Sequence, residues 1–192
     1  MNKILSILIP TLPSRIEKYL SLVNKINHQI ISNNLSEYVQ VLSILDTKEM
    51  TVGEKRNNLV NLSCGKYVIF LDDDDNISDN YVLQIYNGCL SGADVVTFKG
   101  EYHENNSYHS DFIISNMVIR DYNQHGLMYR KPNHICAVLR SISIQCPFPH
   151  INYEEDSKYS ELINAHIKNE CHVNEKLYFY MFDKKTSETH IF

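Results

Sequence analysis

Tryptophan is missing from this chain, and no two of its five cysteines form a CxxC pair. An odd, unpatterned set of thiols indicates neither a disulfide framework nor a zinc site. Cys64, Cys89, Cys136, Cys146 and Cys171 are expected to be reduced and mostly buried. Without tryptophan, stacking on a sugar or a base would fall to the 13 tyrosines. An excess of basic residues is missing too. The formal net charge of −5 and the pI of 6.0 exclude a uniformly basic nucleic-acid-binding face, though not a local basic groove. No run approaches the ~20 apolar residues needed to span a bilayer. The first apolar run, Ile4–Ile9, stops at Pro10 and has no small-residue cleavage site behind it, so it does not read as a signal peptide. A soluble, cytoplasmic protein is expected. Linkers, internal repeats and low-complexity segments are absent as well, and 192 residues suit one domain with a sizeable core.

What is present is an alternation of short apolar runs and amphipathic stretches. Lys3–Ile9 reads as a buried, parallel-type strand. Ser14 and Glu17 form a capping-box pattern ahead of a helix over Ile16–Ile31. Tyr38–Leu45 reads as a strand, Glu54–Leu62 as a helix and Tyr67–Leu71 as a β-branched and aromatic strand. A helix over Asp79–Leu90 and a strand over Ala93–Phe98 follow. This β-α-β-α-β-α-β order predicts a doubly wound, mostly parallel sheet. Ligands of such sheets bind at the carboxyl ends of strands, where Asp46 and Asp72–Asp75 fall. The second half is less regular. Glu101–Ser110 reads as a loop or edge hairpin, Phe112–Ile119 as a strand, and His134–Arg140 as a strand or short helix. A helix from Asp156 to about Lys168 and a last strand, Leu177–Phe182, complete the pattern.

The run Asp72–Asp75 is the most telling feature. Adjacent carboxylates repel and raise each other's pKa unless a cation neutralises them. Hard oxygen ligands suit Mg2+ or Mn2+, which typically take one or two carboxylates plus substrate phosphates. Extended backbone beyond the strand would put Asp72 and Asp74 on one side of the chain, where a metal could bridge to a diphosphate.

Three blocks resemble the family 2-type glycosyltransferases of the GT-A fold: Ser6–Arg15 (SILIPTLPSR), Gly53–Asp75 (GEKRNNLVNLSCGKYVIFLDDDD) and Pro147–Tyr159 (PFPHINYEEDSKY). The resemblance implies a Rossmann-like, mostly parallel sheet flanked by helices. It implies one catalytic domain, with a nucleotide-sugar-binding half to about residue 98 and an acceptor-side half after it. It also implies a DxD site with Mn2+ or Mg2+, in which Asp74 is the direct metal ligand, Asp72 its partner and Asp75 a support. Asp73 stands with the donor-binding residues, its side chain expected to turn away from the metal. Pro10 and Thr11 would line the nucleoside pocket, Asp46 would contact base or ribose, and Arg56 would reach the donor. Asp156 would be the general base, with Glu155 beside it. Asp183, His172 and His190 are candidates for a further metal ligand.

The chemistry implied is transfer of one sugar, hexosyl or related, from a nucleotide sugar to an acceptor hydroxyl, with inversion and with a UDP-sugar favoured. Acceptors of such enzymes range over glycans, proteins, small molecules and, in viruses, modified DNA bases; the acidic net charge disfavours DNA. The second strand departs from the usual Asp-Asp-Gly-Ser-like turn, since Leu45–Glu49 keeps only Asp46. Without tryptophan a QxxRW-type signature is impossible, so a stand-alone transferase is expected rather than a processive synthase. Two alternatives stand beside it. A nucleotidyltransferase would need a Gly-rich basic loop where Pro10–Arg15 stands, and a non-catalytic nucleotide-sugar-binding module would not need Asp72, Asp74 and Asp156.

Overall fold

Five apolar runs become the centre of one mixed sheet, and the segments between them become the helices that cover it. A computed structural model describes residues 3–183. In chain order these residues form β1 (Leu5–Thr11), α1 (Ile16–Ser32), β2 (Val39–Leu45), α2 (Val52–Leu62), β3 (Tyr67–Phe70), β4 (Asn76–Ile77), α3 (Tyr81–Leu90) and β5 (Val95–Glu104). They continue with β6 (Ser107–Ile114), β7 (Tyr122–Gln124), β8 (Leu127–Arg130), β9 (Ala137–Leu139), α4 (Arg140–Gln145), α5 (Glu155–Asn164) and β10 (Glu170–Phe182).

The strand order is β2-β1-β3-β9-β5-β6-β8-β7, with β10 beside β5 and β4. Of the first five strands, only β9 runs against the others. β1 is buried along nearly its whole length, as a strand covered on both faces must be, and Leu5, Ile7, Leu8 and Ile9 lie in the core with Ile69, Phe70 and Val96. The strand runs on through Pro10 to Thr11. Pro10 lies beyond the last β1–β3 pair, Leu8 with Phe70, so its missing N–H takes no bond from β3.

Several boundaries differ from the sequence expectation, each for a local reason. The Ser14–Glu17 capping box is not used: Pro13–Arg15 forms a 3-10 turn closed by the Arg15 N–H on the Leu12 carbonyl (3.0 Å), and α1 starts at Ile16. α2 starts two residues early because the Thr51 hydroxyl caps it, accepting from the Glu54 N–H at 3.2 Å. The polar stretch Glu101–Ser110 is a hairpin, β5–β6, turned by Asn105 and Asn106 at φ 50° and 63°, a conformation asparagine tolerates. The expected strand Phe112–Ile119 leaves the sheet after Ile114, and Met117 and Ile119 stand exposed. His134–Arg140 yields only a three-residue strand, wedged between β3 and β5, and α4 follows it unanticipated. α5 stops at Asn164 rather than near Lys168.

The last strand is twice its expected length. β10 runs parallel to β5 with two bulges and pairs antiparallel with β4, which leads directly off the acidic run. Gly100 makes this packing possible: a Cβ there would lie 2.1 Å from the Phe112 ring and 2.4 Å from the Tyr178 carbonyl. The fold thus brings β10 against β4 and the acidic run before it, where Tyr178 and Met181 reach Asp75.

Candidate active site

The four aspartates do not continue β3. The chain turns at once, with the Asp75 N–H on the Asp72 carbonyl at 3.2 Å, so strand alternation ends and the four carboxylates diverge. Asp72 faces Arg56 (2.8 Å) and His134 (3.3 Å). Asp73 turns inward rather than out of the way. It is buried, accepts from the Thr11 hydroxyl at 2.7 Å, and pairs with Arg15 at 2.9 Å. Asp74 lies 3.1 Å from the same Arg15 nitrogen and is partly open to solvent. Asp75 is buried, taking the Tyr178 hydroxyl on one oxygen and the Met181 N–H (2.6 Å) on the other.

These placements give each acid its own electrostatics. Burial works against ionisation of Asp72, but Arg56 and His134 outweigh it and hold its pKa far below the usual range. Asp74 goes the other way. Burial raises its pKa to about 6, with Asp72 and Asp73 adding to the rise and Arg15 opposing it. Asp75 is pushed well above the ordinary value by burial and by the charges of Asp72 and Asp74.

A cavity of about 420 Å³ opens at the ends of β1 and α2, walled by Pro10, Thr11, Arg15, Lys55, Asp72 and Asp73, with Tyr153 at its side. Pro10 and Thr11 line it as expected of a nucleoside pocket. Asp46 does not line it. That carboxylate is buried behind Lys55, ion-paired with it and accepting from the Met50 N–H at 3.0 Å. Burial disfavours its charge, but Lys55 and the Met50 N–H hold its pKa below the ordinary value. Lys55, whose ammonium also donates to the Thr11 carbonyl at 3.0 Å, presents to the cavity in its place.

Arg56 also departs from expectation. Its guanidinium is buried and borders neither the 420 Å³ cavity nor the cavities near Asp74 and Asp156. It donates to Asp72 at 2.8 Å and to Glu155 at 2.7 Å, and lies 5.7 Å and 5.5 Å from the Phe70 and Phe148 rings. Burial opposes its charge, but Asp72 and Glu155 raise its pKa beyond the ordinary value. Glu155 is buried at the start of α5 and points at Arg56; burial raises its pKa while Arg56 draws it down. Asp156 faces elsewhere. It lines a second cavity, of about 300 Å³, with Asp72, His134, Tyr102, Tyr180 and Phe112. Asp72 therefore belongs to both cavities.

For a divalent ion the fit is limited and specific. Among the described residues no three His, Cys, Asp or Glu side chains converge. Asp75 is fully engaged by protein donors, while Asp74 is an under-compensated carboxylate at the rim. Such a site suits an ion held by one or two carboxylates that completes its shell with phosphate and water. Asp183 borders a third cavity, about 360 Å³, that also touches Asp74 and Asp75. The His172 ring lies 3.0 Å from the Thr97 hydroxyl and lines none of these cavities, and His190 lies outside the described residues. Arg15, Lys55 and Tyr178 were missed by sequence reasoning, and His134, which could face an acceptor, had no pattern to distinguish it. Lys55, inside the Gly53–Asp75 block, and Arg15, at the end of the Ser6–Arg15 block, sat next to a signal that pointed to them.

The fold recurs in solved glycosyltransferases. A 1–349 fragment of S. aureus TarS aligns with a TM-score of 0.64 at 15% identity over 93% of this chain and 60% of that one. The same fragment solved with UDP-GlcNAc gives 0.65, 14%, 97% and 62%. The catalytic domain of Drosophila beta1,4-galactosyltransferase 7, in complex with xylobiose, gives 0.55, 14%, 97% and 67%. The fold is GT-A. At these identities the likeness concerns the GT-A fold alone, and the chain spans about three fifths of the TarS fragment. No protein-family model and no curated protein matches the sequence. Among the described residues no helix is long and apolar enough to cross a membrane.

Proposed function

We propose that the chain is a glycosyltransferase that moves one sugar from a nucleotide-sugar donor to an acceptor hydroxyl, with inversion. The observation that carries this reading is the shared wall. Asp72 borders both the cavity at the ends of β1 and α2 and the cavity that holds Asp156. A single displacement needs that division, with the leaving group on one side of the anomeric carbon and the base on the other.

The 420 Å³ cavity takes the nucleoside diphosphate, with Pro10 and Thr11 against the nucleoside and Lys55 and Arg15 as the cations nearest the phosphates. A UDP-sugar is favoured by the GT-A neighbour solved with UDP-GlcNAc. The 300 Å³ cavity takes the acceptor, with Tyr180 and Tyr102 as aromatic walls. His134 lines the same cavity, and its Nε2 lies 3.3 Å from Asp72. Asp156 accepts the acceptor proton as the hydroxyl oxygen bonds to the anomeric carbon. The bond from that carbon to the diphosphate oxygen breaks, and the nucleoside diphosphate leaves. Mn2+ or Mg2+, held by Asp74 at the rim, would act as a Lewis acid that stabilises the charge growing on the leaving group.

The test is release of UDP from UDP-GlcNAc and a panel of other UDP-sugars, with Mn2+ and with Mg2+, for the wild type, Asp74→Ala and Asp156→Asn. Loss of release in both variants supports the reading. Equal rates in all three proteins overturn it. Metal-dependent UDP binding with no release from any donor favours a binding module instead.

A further inference from the structure

We infer that Arg56 is a positioning residue: it ties Glu155 to Asp72, and so sets Asp156 against the donor wall, with Glu155 the anchor rather than a second reacting acid. The inference rests on the function proposed above and concerns how its two walls are held in register.

The guanidinium is 4% exposed and joins two carboxylates from different walls, Asp72 after β3 and Glu155 on α5, at 2.8 Å and 2.7 Å. A planar fork with fixed spacing can bridge two acids at set positions, which a single ammonium on a flexible stem cannot. The Phe70 and Phe148 rings fix the plane of the fork. Neither Arg56 nor Glu155 lines the donor or acceptor cavity, so neither is placed to touch a substrate.

The rest of α2 grips the same segment. Asn57 donates to the Phe148 carbonyl at 2.8 Å and accepts from the Phe148 N–H at 2.9 Å. The Gly53 N–H donates to the Ile151 carbonyl at 3.2 Å, and the Val52 N–H to the Asn152 side chain at 3.0 Å. A Cβ on Gly53 would lie 1.8 Å from the Pro149 oxygen, so this approach admits glycine only. The segment then turns sharply through Glu154, a non-glycine residue at φ 63°, and delivers Glu155 to Arg56 and Asp156 to the acceptor cavity. Residues 52–57 thus hold residues 148–155 by backbone and side chain. The helix in the block that resembles a donor motif is in fact the mount for the acceptor-side acids.

Two measurements on Arg56→Lys, Glu155→Gln and the double variant test this. The first is amide hydrogen exchange, which needs no turnover. Exchange over residues 150–156 should speed by about tenfold in each single variant while β10 is unchanged. The second is the split between UDP affinity and the rate of UDP release from UDP-GlcNAc. UDP affinity should hold, and the rate should fall by about a hundredfold, as expected of a base displaced by an ångström. The double variant should be no slower than the slower single one. Unchanged exchange at 150–156, or UDP affinity falling in step with the rate, overturns the inference; the latter would make Arg56 a donor contact. If the wild type releases UDP from no donor, the proposed function fails while the exchange result still decides the anchor. If Arg56→Lys does not fold, Glu155→Gln, which keeps a hydrogen bond and loses one charge, carries both measurements.

Discussion

The proposed donor wall is made mainly of residues at the ends of neighbouring parallel strands, and the proposed acceptor wall of residues brought together from a hairpin, the segment before a three-residue strand, the start of a helix and the last strand. On the donor side, Thr11 ends β1 and Asp72 and Asp73 come just after β3, so the β1–β3 register puts them side by side, and α2 adds Lys55. On the acceptor side, Tyr102, Phe112, His134, Asp156 and Tyr180 come from five separate segments and meet only in the finished fold. The first wall is set by a sheet, which is stiff. The second hangs from α2 through a small number of polar contacts. Precision at the acceptor wall is therefore the easier to disturb.

The largest expected effect removes the acid proposed as the general base. Asp156→Asn should lower the turnover of a UDP-sugar by about 10²–10⁴-fold while UDP still binds, since a general base contributes on that scale; steady-state UDP release with calorimetric UDP titration checks both halves. Next in size is the bridge between the walls. Arg56→Met leaves Glu155 and part of Asp72 without their counter-charge and should cost about 3–5 kcal/mol of stability, as breaking a buried ion pair does. Urea unfolding measures it, and a loss below about 1 kcal/mol, the range of a surface pair, would show the bridge to be solvent-screened. Gly53→Ala sharpens the comparison without touching a charge. The new methyl would meet the Pro149 oxygen, so a loss of about 1–3 kcal/mol is expected, with UDP affinity retained and turnover reduced.

The smallest effect is predicted inside the acidic run. Asp75 has its pKa raised well above the ordinary value, by burial first and then by Asp72 and Asp74. A raised acid contributes its full stability below the unfolded pKa, near 4, and loses it as pH climbs toward the folded pKa. Asp75→Asn should therefore change the melting temperature by only a few degrees at neutral pH and flatten the fall in stability above pH ~4. Thermal melts from pH 4 to 8 test this. A large loss at all pH values would show that the Tyr178 and Met181 bonds need a carboxylate.

The contrast between the walls also explains what could be read from the chain. The β-α alternation through Val95 rests on buried apolar runs and amphipathic helices, whose periodicity is local, and the structure follows it to within a few residues. Beyond Val95 the strands are short, half-exposed or paired with distant partners. β9 has three residues, and the first half of β10 (Glu170–Lys176) is polar, so neither carries a clear period. In the acidic run, sequence spacing implied that Asp72 and Asp74 share a face. The turn at Asp72 cancels that, because alternation holds only while the chain is extended. The pairings of Arg15, His134 and Tyr178 were illegible for a related reason. An isolated residue has no pattern, and its meaning comes from a partner 58, 62 or 103 positions away.

Asp72 is a wall common to two chambers, and thermodynamics attaches a condition to such a wall. If filling one chamber changes how this carboxylate is paired, the other chamber's affinity must change by some factor. Linkage requires that factor to be the same whichever ligand enters first. An acceptor analogue that tightens UDP fivefold would thus itself be held about five times tighter in the presence of UDP, and the order of loading would alter the path but not the final occupancy.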